Sequence, residues 1–194
     1  MSTATAIVAS KSIPPSQAPK KVTKTHFLRH YSNREDGYKY EWNDGYIEKT
    51  QAMNQQQATI QAILLRFFIK TMVFENGGLF TAETDMDTSP TQMRKPDIAI
   101  YTGDQVKKMK IGERQVAPWV AEVISPTDRA DHINAKLNEY FKAGVKVVWH
   151  IFPQSKKVDV FTAPEKVTIC IGKTLCSGAP ALPDLQISAE ELFS

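Results

Sequence analysis

The chain has 194 residues, is 42% hydrophobic and 23% charged, and carries a formal net charge of +3. That length supports one domain with a substantial core, and the composition excludes a disordered or fibrous chain. No run nears the roughly 18 apolar residues of a membrane span, and so mild a positive charge permits contact with phosphates without demanding it.

The opening, MSTATAIVASKSIPPSQAPKK, is rich in Ser, Thr, Pro and Lys and has no apolar periodicity. Residues 1–24 therefore read as a flexible tail and 25–194 as a single domain. The apolar stretch of the opening is short and its basic residues follow it, which is not the order of a secretory signal. Cys170 and Cys176 accordingly read as reduced thiols, and the expected compartment is the cytoplasm. Basic residues gather at Lys20, Lys21 and Lys24, at Lys107, Lys108 and Lys110, and at Lys156 and Lys157. Each group reads as a solvated loop before it reads as a DNA contact.

YKYEWNDGYIEK, from Tyr38 to Lys49, predicts a β-hairpin around Asp44-Gly45. A long helix is expected from about Asn54 to Glu75, with Ile60, Ile63, Leu64, Phe67, Phe68 and Met72 at helical spacing. Asn54 and Gln57 fit a capping box at its start, and Gly77-Gly78 ends it. Strands follow at 79–84, 97–101 and 119–124, the last two separated by a Lys-rich loop at 103–116. WVAEVI in the third is the nearly continuous apolar run of a central strand. A second helix spans about Asp128 to Ala143, closed by Gly144. Strands are expected at 146–151, 157–162 and near 167–171, then a short terminal helix in PDLQISAEELF with Ser188 as N-cap and Glu191 completing its box. This order describes an α/β or α+β sandwich, a mixed sheet with a helix on either side.

Two acids interrupt the apolar strands. Asp97 opens the strand in KPDIAIY, with Pro96 restricting φ just before it, and Glu122 sits inside PWVAEVIS. A buried, unpaired carboxylate typically costs several kcal/mol, so a basic partner, a raised pKa or a cation must offset it. If the two strands are neighbours, both acids share one site, and a divalent ion removes their repulsion. The carbonyl of Val123 could add an oxygen. The plainer alternative is that Asp97 caps a turn and Glu122 pairs with a base such as Arg129.

A metal held by two acids can polarise a phosphoryl oxygen and help deprotonate a water, the arrangement that phosphodiester hydrolysis needs, and a lysine to stabilise charge near the scissile phosphate is the third member sought. Ile124, two residues after Glu122, cannot serve, and Lys136, one turn before Tyr140 on the next helix, is the best replacement. Its alternative is a surface lysine lying along apolar area. Glu41 on the hairpin could approach the metal or face solvent, and Gln57 could contact a water or phosphate or simply cap its helix. In ETDMD, Glu83, Asp85 and Asp87 would share one face if extended, as a second metal site or, more plainly, a solvated loop. The four histidines have no metal-ligand spacing, and Gly-rich phosphate loops and GxSxG are absent.

RKPDIAIY followed by PWVAEVISPTDRADHINAKLNEYFKAGVKVVWHIFPQSKKVDVF resembles the Uma-type "putative restriction endonuclease" family of the PD-(D/E)xK nuclease superfamily. The acidic hairpin and helix of YKYEWNDGYIEKTQAMNQQQATI and the closing PDLQISAEELF fit the same pattern, over roughly residues 27 to 194. The resemblance implies a restriction-endonuclease-like core, Asp97 and Glu122 as metal-binding acids, Lys136 as the helical lysine and Glu41 as the upstream acid. Two positions depart from it: Gln57 stands where the family often has a histidine, and Tyr46 where it often has an acid. The expectation is a Mg²⁺-dependent DNA endonuclease, with Mn²⁺ as a substitute ion and a homodimer as the assembly that makes two cuts. The alternative is a weak or inactive nuclease-fold module that binds nucleic acid or serves assembly.

Overall fold

In the computed structural model, residues 20–194 are described. Helix α1 (Lys24–His30), for which no element was expected, is capped by the Thr23 hydroxyl accepting the His26 N–H. The Val22 N–H donates to the Gly45 carbonyl at 2.7 Å, so the expected tail is already tied down there. Residues 1–19 of that tail lie outside the described residues.

The hairpin forms as β1 (Tyr38–Asn43) and β2 (Tyr46–Gln51), paired antiparallel with Asn43 opposite Tyr46. Asp44 and Gly45 have φ of 49° and 90°, the pair of positive values that a two-residue type I′ turn requires. Aromatic and charged residues alternate along β1, so its two faces differ. Tyr40 and Trp42 pack with Phe27 of α1 and with Met93, which leaves Lys39 and Glu41 on the opposite face.

Helix α2 (Gln55–Phe68) begins with the expected capping box of Asn54 and Gln57. It does not run on to Glu75. The chain breaks at Ile69–Thr71, where the Thr71 hydroxyl donates to the Phe68 carbonyl at 2.7 Å and accepts the Phe74 N–H to start α3 (Met72–Glu75). The apolar spacing continues across the break, which is why periodicity alone reads one helix. Strands β3 (Leu79–Ala82), β4 (Met86–Ser89), β5 (Gln92–Arg94) and β6 (Ile98–Tyr101) follow. β4 and β5 were missed because they are short and largely polar.

The expected loop at 103–116 instead contains helix α4 (Gly103–Lys110), whose capping box is Thr102 and Gln105. Lysine is a good helix former, and Val106 and Met109 give this run an apolar side that packs on the core. β7 (Trp119–Val123), α5 (Ala130–Ala143), β8 (Val147–Phe152), β9 (Lys157–Ala163) and β10 (Lys166–Ile171) then match the expected order. Gly144 closes α5 with φ +107°. A further hairpin, β11 (Leu175–Gly178) and β12 (Leu182–Ser188), was not foreseen. PDLQIS is strand up to Ser188, which caps α6 (Ala189–Leu192) through the expected box with Glu191.

The main sheet has the order β10-β9-β8-β7-β6-β3. Its pairs are antiparallel except β7 and β8, which α5 connects as a parallel crossover. A second sheet, β2-β1-β5-β4, stands apart from it. Pleating divides the main sheet's side chains between two cores. Ile98, Ile100, Trp119, Ala121, Trp149 and Ile151 pack with Ile60, Leu64 and Phe68 of α2. Ala99, Tyr101, Val120 and Val148 pack with Leu137 and Tyr140 of α5. By the same alternation Asp97, Glu122 and His150 belong to the α5 face. Among the described residues, no helix is long and apolar enough to cross a membrane.

Candidate metal centre and its charged cluster

β6 and β7 are antiparallel neighbours with Ile98 opposite Ala121. One step further in that register stand Asp97 and Glu122, the condition on which a shared site depended. Asp97 is 4% exposed and Glu122 7%, so each carboxylate needs partners. Asp97 Oδ2 accepts the Val123 N–H at 2.7 Å, and Oδ1 accepts from Lys39 Nζ at 2.5 Å. Glu122 Oε1 accepts from the Tyr140 hydroxyl at 2.5 Å and lies 3.0 Å from Lys136 Nζ. No described residue donates a hydrogen bond to Glu122 Oε2.

Glu41 reaches the same place from β1. Its Oε1 accepts from Lys136 Nζ and from the Lys95 N–H, each at 2.9 Å, and its Oε2 from Arg94 Nη1 at 3.2 Å. Burial opposes ionisation of Glu41, but Lys136, Lys39 and Arg94 outweigh it and hold its pKa down at about 2. Burial likewise works against charge on Lys39 and Lys136. The facing carboxylates overcome it, Asp97 foremost for Lys39 and Glu122 foremost for Lys136, and both ammonium groups bind their protons more tightly than usual. Burial, reinforced by Glu122, raises the Tyr140 phenol well above its ordinary value, so it remains a donor.

Behind Glu41, Arg94 holds Glu139 through Nε and Nη2, at 2.9 and 2.6 Å, and Glu48 through Nη1 at 2.5 Å. Five carboxylates (Glu41, Glu48, Asp97, Glu122, Glu139) thus face three cations (Lys39, Arg94, Lys136). The excess is two negative charges, what one divalent ion neutralises, and the available donors are carboxylate oxygens, which suit a hard cation such as Mg²⁺. On that chemistry the residues fit such an ion. Among the described residues, no three His, Cys, Asp or Glu side chains are already arranged to hold one; ammonium groups stand between the acids.

Asp97, Glu122, Lys136 and Glu41 are therefore brought together. Lys136 does not lie along apolar surface, and Arg129 pairs with Asp131 at 2.8 Å and not with Glu122. Val123 meets Asp97 with its N–H. Gln57 makes none of the cluster's hydrogen bonds; its side-chain oxygen accepts the Asn54 N–H at 2.8 Å. The sequence reading missed Lys39, Arg94 and Tyr140. For Lys39 the signal was available, since it shares a strand face with Glu41. His150 stands opposite Glu122 across β7 and β8, and burial lowers its pKa against the pull of Glu122 and Asp159.

The remaining candidates have other partners. Glu83 accepts the Met53 N–H at 3.0 Å, Asp85 takes the Ser32 hydroxyl and Lys95, and Asp87 pairs with Lys24 and Arg114. ETDMD is thus neither a free loop nor a metal site among the described residues. In the basic groups, Lys24, Lys107 and Lys157 pair with Asp87, Asp104 and Asp159. Cys170 and Cys176 are free and buried. An open cleft of about 340 Å³ runs from Ile124 past Asp128 and Ile133 to Phe152. It holds none of the cluster's acids but begins two residues after Glu122, along the helix that carries Lys136.

Residues 25–190 match the Uma2 family, described as "Putative restriction endonuclease". No curated protein matches the chain. The crystal structure of a "putative nuclease belonging to DUF820" from Anabaena variabilis ATCC 29413 is similar with a TM-score of 0.74 at 18% identity, over 89% of this chain and 97% of that one. At that identity the likeness establishes the fold, and the expected restriction-endonuclease-like core, a mixed sheet flanked by helices with an N-terminal hairpin, is the one found. With the family match spanning most of its length, this chain belongs to the Uma2 family of putative restriction endonucleases.

Proposed function

We propose that this protein is a divalent-metal-dependent endonuclease that hydrolyses DNA phosphodiester bonds, with Mg²⁺ as its ion and Mn²⁺ as a substitute. The observation that carries the reading is the meeting of Glu41 of β1, Asp97 just before β6 and Glu122 of β7 with Lys136 of α5 in one buried cluster of net negative charge. Asp97 and Glu122 would hold the ion, with the Val123 carbonyl as a further oxygen. When bound, the ion polarises the phosphoryl oxygen and lowers the pKa of a water.

The chain's own groups do the rest. Lys136, more exposed than Lys39 and than the two acids it joins, meets the negative charge that grows on the phosphate as water adds and one P–O ester bond breaks. Glu41 fixes the position of Lys136, and Tyr140 orients Glu122. Arg94 holds Glu41 from behind. The same reading includes a homodimer, because a duplex needs two cuts, and a cytoplasmic setting, which suits two free thiols.

The test is incubation of the purified protein with supercoiled, linear and single-stranded DNA, with Mg²⁺, with Mn²⁺ and with chelator. Metal-dependent nicking that disappears in Asp97→Asn is the expected result. No cleavage of any DNA form, or cleavage that survives that substitution, overturns it.

A second reading, a nucleic-acid-binding module without catalysis, is favoured by one feature: Gln57, at the position where a histidine would be expected, is engaged in a helix cap. Such a module needs no ion at Asp97 and Glu122, so calorimetry with Mn²⁺ separates the two readings.

A further inference from the structure

β1 brings a second cation into the cluster that neither the motif spacing nor the helix supplies. The Lys39 side chain is 7% exposed, and its Nζ lies 2.5 Å from Asp97 Oδ1. The other oxygen of Asp97 already accepts the Val123 N–H at 2.7 Å. Oδ1 is thus the oxygen of Asp97 that the backbone leaves free, and Lys39 occupies it. A unit charge and a divalent ion on one carboxylate oxygen repel strongly in a site so shielded from water.

We propose that Lys39 is a tethered counter-ion that holds the place of the divalent cation at Asp97, so that loading of the ion requires its ammonium group to leave Asp97 Oδ1. The proposal rests on the metal-dependent reading above. Its physical logic is that Asp97, 4% exposed, cannot stand unpaired while the ion is absent. A lysine on a flexible four-carbon stem serves as a partner that can be displaced, where the rigid fork of an arginine would not. The geometry separates Lys39 from Lys136. Lys136 bridges Glu41 and Glu122 at 2.9 and 3.0 Å, hydrogen-bonds neither oxygen of Asp97, and can keep its place beside a bound ion. It also accounts for why the acids are not already arranged around an ion site: with Lys39 moved aside, Asp97 Oδ1 and Glu122 Oε2 become the open oxygens.

The test is titration of the full chain with Mn²⁺ by calorimetry, with thermal melts in chelator and in saturating Mn²⁺, for the wild type, Lys39→Gln, Lys39→Met and the double variant Lys39→Gln/Asp97→Asn. Both single variants are expected to bind Mn²⁺ at least tenfold more tightly than the wild type. They should melt below it in chelator and gain more from saturating Mn²⁺ than it does, and the double variant should lose the tight site. A variant that does not fold in chelator is prepared in Mn²⁺ and titrated by competition with a chelator of known affinity. If Lys39 only braces the fold, the single variants bind no more tightly than the wild type. That overturns the proposal, and the nuclease reading stands if the wild type binds Mn²⁺ and the Lys39→Gln/Asp97→Asn variant does not. If neither the wild type nor the Lys39 variants bind Mn²⁺, both readings fall.

Discussion

The Tyr140 hydroxyl donates to Glu122 Oε1 at 2.5 Å, and both groups are buried. Lys136, one helical turn earlier on α5, lies 3.0 Å from that same oxygen. One face of one helix therefore satisfies one side of the carboxylate and leaves the other side without a donor.

Tyr140→Phe keeps the ring and removes that donor. Loss of a hydrogen bond to a buried charged group costs roughly 1.5–3 kcal/mol. Urea denaturation should show that loss, and cleavage should fall with it because Glu122 is no longer oriented. An unchanged unfolding midpoint means that the hydroxyl does not hold Glu122.

Lys136 is the group assigned to charge on the phosphate. Removal of one such preorganised donor typically lowers kcat by about 10²–10³-fold. Lys136→Ala should show a loss of that order in single-turnover cleavage of plasmid DNA, with Lys136→Arg retaining part of the rate. Equal activity of Lys136→Ala and wild type removes this residue from the chemistry.

Arg94 is 2% exposed and joins Glu41, Glu48 and Glu139. Truncation would leave buried carboxylates uncompensated, at about 3–5 kcal/mol. Arg94→Ala should therefore unfold at markedly lower denaturant. Arg94→Lys should recover only part, since one ammonium cannot reproduce the two-pronged contact with Glu139.

Glu41 gives the pH dependence its sign. Its folded pKa, about 2, is below the ordinary 4.5 because Lys136, Lys39 and Arg94 more than offset burial. A depressed carboxylate contributes stability that is fully present above the unfolded pKa and is lost as pH falls through the folded one. The melting temperature should decline between about pH 4.5 and 2, and Glu41→Gln should flatten that decline. A Glu41→Gln profile parallel to wild type over that window refutes the assignment.

The Asn54–Gln57 cap separates stability from chemistry. Asn54→Ala should cost about 1 kcal/mol and leave cleavage unchanged. If Gln57→Ala instead abolishes cleavage without altering the melting temperature, Gln57 belongs to the site after all.

Much of the architecture could be read along the chain because its causes are local. Asp44-Gly45 permits the two positive φ values of its turn. Ser188 with Glu191, and Asn54 with Gln57, satisfy helix N–H groups within four residues. The apolar run around Glu122 marks a strand covered on both faces. Where local cues competed, the reading slipped. Apolar spacing carried α2 through the break that Thr71 makes, and a lysine-rich run hid the amphipathic side of α4. β5 escaped notice at three residues, and Arg94 with it.

By itself, the sequence determined which residues had to be costly: Asp97 adjoins and Glu122 lies within strands whose apolar residues force burial, and Lys136 shares a helix face with Tyr140. Only the tertiary structure decided how that cost is met. Lys39 lies 58 residues from Asp97, and Glu41 lies 95 residues from Lys136. Ion pairs across such separations are set by the packing of β1 beside the main sheet, and no spacing rule within a strand or helix encodes them.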